Sequence, residues 1–200
     1  MALRVLVGVQ RHWLTATNLA VAVFVGLPFL APILLALGYD GPAGQIYAAY
    51  QMVCHQWAFR SFFLFGPELT YGQDHLHDLL GAQAMYGFLG SPELGYKVAF
   101  CERDVAIYLA VLVSGVAYGR LRQRLPELGI MAYGVLVLPM AFDGFTQLFG
   151  WRESTPELRI VTGALFGVAS VWLIYPRIDA LFARDLGSAQ PESSASPTAA

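Results

Sequence analysis

Charged residues are scarce in this sequence, and the motifs of several common enzyme classes are missing. Only 13% of the 200 residues are charged, whereas soluble domains carry roughly a quarter. There is no phosphate-binding glycine loop, no H-E-x-x-H zinc-peptidase motif and no G-x-S-x-G nucleophile elbow. A basic patch with interleaved aromatics, as nucleic-acid binding requires, is also lacking. These absences argue against an ordinary soluble domain, against those enzyme classes and against a nucleic-acid partner.

Apolar residues are abundant instead, at 56% of the sequence and a mean hydropathy of +0.53. A helix needs about 20 apolar residues to cross a hydrocarbon layer of about 30 Å. The apolar runs predict an all-α integral membrane fold with four transmembrane helices, at about residues 14–38, 97–119, 128–149 and 158–176. Residues 1–186 would form a single membrane domain, with an extracytoplasmic, interfacial helical segment at 40–96. The small, polar tail 187–200 is predicted to be disordered and cytoplasmic.

Arginine and lysine next to the spans predict the orientation of the chain. Short cytoplasmic segments are enriched in these residues. Seven of them flank the side that holds both termini, and five lie on the other side. This split predicts a multi-pass protein of a prokaryotic inner or plasma membrane with both termini in the cytoplasm. The first apolar run exceeds the roughly 7 to 15 residues of a signal peptide, so we interpret it as a retained anchor.

Local signals predict where the helices begin. Pro-Glu-Leu follows a hydroxyl residue at Ser91 and at Thr155, and such residues cap helix starts while proline suits the first helical position. We therefore expect the second membrane helix to begin at Ser91, the third at Pro126 and the fourth at Thr155. Apolar and aromatic residues at helical spacing over 45–57 predict a further helix in the membrane interface.

Two small-x-x-x-small patterns fall within predicted spans, G-V-A-Y-G at 115–119 and G-A-L-F-G at 163–167. Small residues at this spacing let membrane helices approach closely. We expect tight helix packing at both places.

The third span carries two polar residues one helical turn apart, Asp143 and Gln147. A carboxylate at the centre of a span costs about 2.5 to 3.5 kcal/mol, so it usually faces the bundle interior and has a partner. The candidates at similar depth are Arg103, Arg152 and Arg159. Two interpretations remain open: an ion-pair network that fixes helix register, or a pocket whose arginines bind an anionic group while aspartate handles protons.

The only cysteines, Cys54 and Cys101, both fall on the predicted oxidising side of the membrane. Such a pair often forms a disulfide, which would contribute about 4 kcal/mol here. A metal or redox site is the second interpretation, with Cys54, His55 and Cys101 as metal candidates and Asp104 as an added ligand. Unpaired thiols in the core are the third.

The polar motifs taken together resemble a known family. They are C-H-Q at 54–56 followed by R-S at 60–61, C-x-R-x-x-x-I-Y at 101–108, D-G-x-x-Q at 143–147 and R-x-x-T-G at 159–163. Their order is similar to that of an uncharacterised prokaryotic family of small integral membrane proteins, a domain of unknown function. The resemblance covers roughly 47–167 and implies a polytopic membrane protein without implying an activity. This sequence departs from the family at Asp104, where many members have a cysteine. The difference argues against a metal site built from several cysteines.

Three hypotheses for function follow. The leading one is a polar site at the outer membrane interface that binds a small anionic or lipid-like ligand; its candidate residues are His55, Gln56, Arg60, Arg103, Asp104, Asp143, Gln147 and Arg159. The second is a non-catalytic accessory or assembly subunit of a membrane complex, with a membrane-protein partner or a second copy of the chain. The third is a metal or redox site at the Cys/His motif. The sequence names no cofactor and does not decide whether the protein is an enzyme; its one certain partner is the lipid bilayer.

Overall fold

The fold is a bundle of long apolar helices with a small sheet at one end. The computed structural model describes residues 2–82, 84–122 and 124–188. The helices are α1 (Ala2–Ala36), α2 (Asp40–Tyr50), α3 (Gln73–Leu80), α4 (Ala84–Gly87), α5 (Glu102–Leu121), α6 (Ile130–Leu148) and α7 (Pro156–Ser188). The strands are β1 (Ser61–Leu64), β2 (Gly90–Ser91) and β3 (Gly95–Cys101), with a 3-10 turn at Ala58–Arg60.

Four of the described helices are long and apolar enough to cross a membrane. They are Gln10–Ala36 within α1, the whole of α5 and α6, and Pro156–Arg184 within α7. The prediction of a helical membrane fold with four spans is confirmed, and each predicted span overlaps one of these helices, although residues 97–101 of the second lie in β3. The tail predicted at 187–200 includes the last two residues of α7 and otherwise lies outside the described residues.

Helix α5 lies between α1 and α7, and α6 packs against α7. Glycine makes the α5–α7 contact close, because a methyl group added at Gly167 would lie 2.5 Å from the carbonyl oxygen of Ile107. A methyl group at Gly163 would lie 2.8 Å from the carbonyl oxygen of Arg103. The tight packing predicted for 163–167 is confirmed, and it holds the first turns of α5 and α7 against each other.

The segment between α1 and α5 contains strands as well as helices, which the sequence interpretation did not predict. The sheet is antiparallel in the order β1-β3-β2, with Phe63 opposite Lys97 and Gly90 opposite Tyr96. β3 is rich in β-branched and aromatic residues, which favour strands, and its residues Val98, Ala99 and Phe100 are fully buried against α1 and α2. We call the end of the bundle that carries this sheet the sheet side.

Three predicted helix positions are wrong. Ser91 lies in β2, and its hydroxyl accepts a hydrogen bond from the Leu94 N–H at 3.3 Å, within the turn that joins β2 to β3. Gly95 ends that turn with a φ of +80°, which favours glycine. The helix predicted over 45–57 instead spans Asp40–Tyr50, and α6 begins at Ile130 rather than Pro126.

The predicted start of the fourth helix is correct. α7 begins at Pro156, and the Thr155 hydroxyl accepts a hydrogen bond from the Leu158 N–H at 3.3 Å. At α5, Cys101 takes the capping position, and its sulfur accepts from the Asp104 N–H at 3.4 Å. Because α5 starts directly after β3, the chemistry-bearing residues 101–104 lie at the sheet side of the bundle.

Candidate functional site

A cavity of about 230 Å³ lies at the sheet side, where α5 and α7 begin and α6 ends. Seven of the eight predicted ligand-binding residues line it, and so do both cysteines: His55, Gln56, Arg60, Arg103, Asp104, Gln147, Arg159, Cys54 and Cys101. The eighth, Asp143, is paired with Arg103 and has only 1% of its surface exposed. Residues from four separate parts of the sequence are thus brought to one place.

Asp143 is the centre of one ion-pair cluster. Its carboxylate accepts hydrogen bonds from the guanidinium groups of Arg103 and Arg152, the latter at 2.5 Å. The Ser154 hydroxyl donates at 3.0 Å, and the Gln147 amide nitrogen, one turn later on α6, donates at 3.3 Å. The predicted pairing of Asp143 with arginines at its depth is confirmed for Arg103 and Arg152. Four donors around one carboxylate offset the cost of burying its charge.

Arg159 belongs to a second cluster rather than pairing with Asp143. It is 3% exposed and donates to Glu102 at 2.8 Å and also to Glu153. Arg60 binds the same Glu153 through two parallel bonds of 2.8 Å, the bidentate geometry that suits arginine. Glu102 and Glu153 were not among the predicted site residues. Charge balance among the candidates was an available signal for them, because the named site residues and partners included four arginines but only two carboxylates.

The C-H-Q stretch is held in place by a buried hydrogen-bond network. Gln56 has a φ of +53°, a conformation uncommon outside glycine. Its side-chain nitrogen donates to the Tyr47 carbonyl at 2.9 Å, and its own carbonyl accepts from the ammonium group of Lys97. Tyr47 in turn donates to the Lys97 carbonyl at 2.5 Å. Predicted as a ligand-binding candidate, Gln56 therefore uses its backbone and its amide nitrogen to connect α2 to β3.

Lys97 is the one lysine in the sequence and is 1% exposed. Burial lowers the pKa of Lys97 from 10.5 to about 8, and the nearby charge of Cys54 opposes that shift. The amine is therefore mainly protonated at neutral pH, as a cation within the buried wall of the site. In the sequence, Lys97 contributes only to the orientation signal, because a lysine close to a span end is usually solvated.

The two cysteines lie close together as free thiols, and the structure does not support the predicted disulfide. The Cys54 sulfur accepts from the Cys101 N–H at 3.2 Å, and the Cys101 thiol donates to Asp104 Oδ2 at 3.2 Å. The hydrogen bond with Cys54, followed by burial, raises the pKa of the Cys101 thiol well above its usual range. His55 is exposed and contacts Trp57 edge-on at 5.8 Å between ring centroids.

Comparison with known proteins supports the resemblance seen in the sequence. Residues 93–173 match a family described as predicted membrane protein (DUF2085). An uncharacterised protein of Methanocaldococcus jannaschii is 32% identical over 157 residues, which cover 74% of this chain and 81% of that protein. The chain belongs to this family. An uncharacterised protein of Methanothermobacter thermautotrophicus is 32% identical over 74 residues, or 37% of this chain and 67% of that protein. No solved structure matches the chain.

Several polar atoms around the cavity of this DUF2085 protein are buried without a hydrogen-bond partner among the described residues. They are the Nε atoms of Arg103 and Arg159, Gln56 Oε1 and Glu102 Oε1. Buried polar groups are nearly always hydrogen-bonded, and leaving one unpaired costs about 1 to 3 kcal/mol. The cavity is therefore bordered by fixed ion pairs and by buried donors and acceptors that lack a partner among the described residues.

Proposed function

We propose that the protein binds a small anionic group, a carboxylate or a phosphate, in the cavity at the sheet side. The group would belong either to a free anion or to a lipid headgroup. One observation carries the proposal: Arg103 and Arg159 both line the cavity, and each keeps a buried Nε–H without a partner among the described residues. An anion that accepts from both donors would satisfy them, and hydrogen bonds to a charged partner contribute about 1.5 to 3 kcal/mol each.

The charge around the cavity supports an anion over a cation. Five cationic side chains meet four carboxylates here: Arg60, Arg103, Arg152, Arg159 and Lys97 against Asp104, Asp143, Glu102 and Glu153. The difference is one positive charge while the thiols are neutral. The carboxylates also hold the guanidinium groups in fixed positions, so a ligand would bind without first ordering them.

The position of the cavity supports a lipid headgroup as one source of the anion. Two spanning helices begin at this level, at Glu102 and Pro156, and a third ends at Leu148. Charged headgroups lie at this depth of a bilayer. We further propose that the sheet side is extracytoplasmic, because Arg120, Arg122 and Arg124 cluster at the opposite end, where arginine favours the cytoplasm.

Replacing arginine by lysine at position 103 tests the proposal, because lysine can keep the charge pair with Asp143 but has no Nε–H. Arg122→Lys is the matched control, since Arg122 pairs with Asp179 at the opposite end of the bundle. Native mass spectrometry would count bound phosphatidylglycerol and phosphatidylcholine after extraction from mixed nanodiscs. Titration with inorganic phosphate, followed by thermal unfolding, would test the free anion.

We expect the wild type and Arg122→Lys to retain phosphatidylglycerol or to be stabilised by phosphate, and Arg103→Lys to lose that response. A response to phosphate alone would identify a free anion, and one to phosphatidylglycerol alone a headgroup. If neither probe binds the wild type, or if Arg103→Lys binds as well as the control, the anion site is wrong. The hypothesis of a non-catalytic accessory subunit would then account better for the ion pairs.

A further inference from the structure

We infer that Cys54, Cys101 and Asp104 form a binding site for one zinc ion, open toward the cavity. Among the described residues, these three offer ligand atoms that all lie within 4.8 Å of one another. Cys54 is buried, and the other two are partly buried. Thiolate sulfur and carboxylate oxygen are both ordinary zinc ligands. The inference goes beyond the anion site, because it uses a different set of side chains and does not depend on an anion being bound.

The spacing of the three ligand atoms suits a tetrahedral ion. Two sulfurs that are each about 2.3 Å from zinc lie about 3.8 Å apart at the tetrahedral angle. The Cys101 sulfur and Asp104 Oδ2 are 3.2 Å apart, joined by the thiol proton. A zinc ion would replace that proton, and the remaining separations, which are at most 4.8 Å, would have to close to tetrahedral spacing. Metal binding would therefore release the proton of Cys101.

Backbone N–H groups donate to both sulfurs, and these bonds oppose the burial and the Cys54 contact that favour the protonated thiol of Cys101. Cys54 accepts a hydrogen bond from the Cys101 N–H, and Cys101 accepts one from the Asp104 N–H. Cys101 also caps the first turn of α5, a helix of 20 residues, where the backbone dipole favours a thiolate. Backbone donors of this kind orient metal ligands and tune their basicity.

Three protein ligands leave a fourth position that faces the cavity. Zinc sites with three protein ligands generally hold water or a substrate in the fourth position, whereas purely structural sites have four. Zinc binding is also compatible with the anion site. The two positive charges of the ion replace the two protons that the thiols lose, so the net charge around the cavity is unchanged. The structure thus assigns to this cavity an open zinc centre, beside arginines that can hold an anionic partner of the metal.

The experiment measures metal content and ligand identity in reduced, full-length protein. Zinc per chain is determined by mass spectrometry after equilibration with zinc and a phosphine reductant, and cobalt(II) replaces zinc to report thiolate ligation by absorption. We expect one zinc per chain and a cobalt spectrum with sulfur-to-metal charge transfer. Cys101→Ser and Asp104→Asn should each weaken zinc binding about tenfold or more, the loss that even partners outside the ligand shell can cause.

The variants are chosen so that the fold survives. Serine caps helices well, so Cys101→Ser should preserve the start of α5, and Asp104→Asn is nearly isosteric. Asp78→Asn is the control, because Asp78 has an 85% exposed side chain and lies in α3. If the reduced wild type binds no more zinc than Cys101→Ser, or the cobalt spectrum lacks thiolate charge transfer, the site is wrong. Neither result depends on Arg103, so failure here is distinguishable from failure of the anion site.

Discussion

Neutralising Asp143 tests whether its ion-pair cluster holds the bundle together. Asp143→Asn keeps the size of the side chain but removes the charge that Arg103 and Arg152 share. Removing one partner of a buried pair costs about 3 to 5 kcal/mol, because it leaves the other charge uncompensated. The arginine side chains are 22% and 35% exposed, so water can partly hydrate them. We therefore expect a loss near the lower limit, about 3 kcal/mol.

The assay is thermal unfolding of detergent-solubilised protein beside the exposed control Asp78→Asn. A change of 1 kcal/mol moves the melting temperature of a protein of this size by about 2 to 4 °C, so Asp143→Asn should unfold roughly 6 to 12 °C below the wild type. The control should differ from the wild type by less than about 2 °C. Combining Asp143→Asn with Arg103→Gln should cost less than the two separate losses added together. If Asp143→Asn unfolds at the same temperature as Asp78→Asn, the reasoning is refuted.

Three further outcomes are expected. Gly167→Leu should force α5 away from α7 at Ile107 and cost about 1 to 3 kcal/mol, measured by the same thermal unfolding; an unchanged melting temperature would contradict the close packing. In a cysteine-free background, Met52→Cys should react with an impermeant reagent in intact cells and Glu127→Cys should not, whereas the reverse pattern would invert the proposed orientation. The stability of Lys97→Met relative to the wild type should be highest near pH 7 and should fall by about 3 kcal/mol between roughly pH 8 and pH 10.5; a difference that is constant over this pH range would refute the lowered pKa of Lys97.

The sign of the last effect follows from proton binding. The folded state holds Lys97 with a pKa of about 8, against an ordinary value of 10.5, so the unfolded state binds more protons between those two values. The stability of the wild type therefore rises with pH across this window. Below about pH 8 the full cost of keeping a buried ammonium is present, and methionine at this position avoids it.

The sequence predicted the membrane helices and most of the residues that line the cavity, because a charge in an apolar run has few explanations. Asp143 could be assigned a buried arginine partner from its depth alone. Depth does not tell which side of a helix a residue lies on. The sequence therefore could not show that Arg103 and Arg152, and not Arg159, face Asp143. Depth gave no signal for Glu153, since it lies in a loop where a charged residue is ordinary, and only charge balance pointed to it.

The sheet was missed because its sequence signals have two structural interpretations. A serine hydroxyl that accepts a hydrogen bond from the N–H three residues later can cap a helix or close a turn. Ser91 closes a turn, with Leu94 as the donor. The span predicted at 97–119 joined the end of β3 to α5 across the charged residues 102–104, and this hid the boundary between strand and helix. Only long-range pairing of Phe63 with Lys97 decides it, and a pattern in one sequence does not reveal such pairing.

The strand order has a consequence for synthesis of the chain. β3 is the central strand, yet it is the last of the three to be made, so β1 and β2 have no partner until residue 101 has left the ribosome. At about 5 to 20 residues per second, the 40 residues from Ser61 to Cys101 take roughly 2 to 8 s. During that interval Cys54 lacks the part of its buried cluster that β3 supplies, residues Val98, Ala99 and Phe100. The thiol of Cys54 is thus less covered in the nascent chain than in the finished protein until β3 has been made.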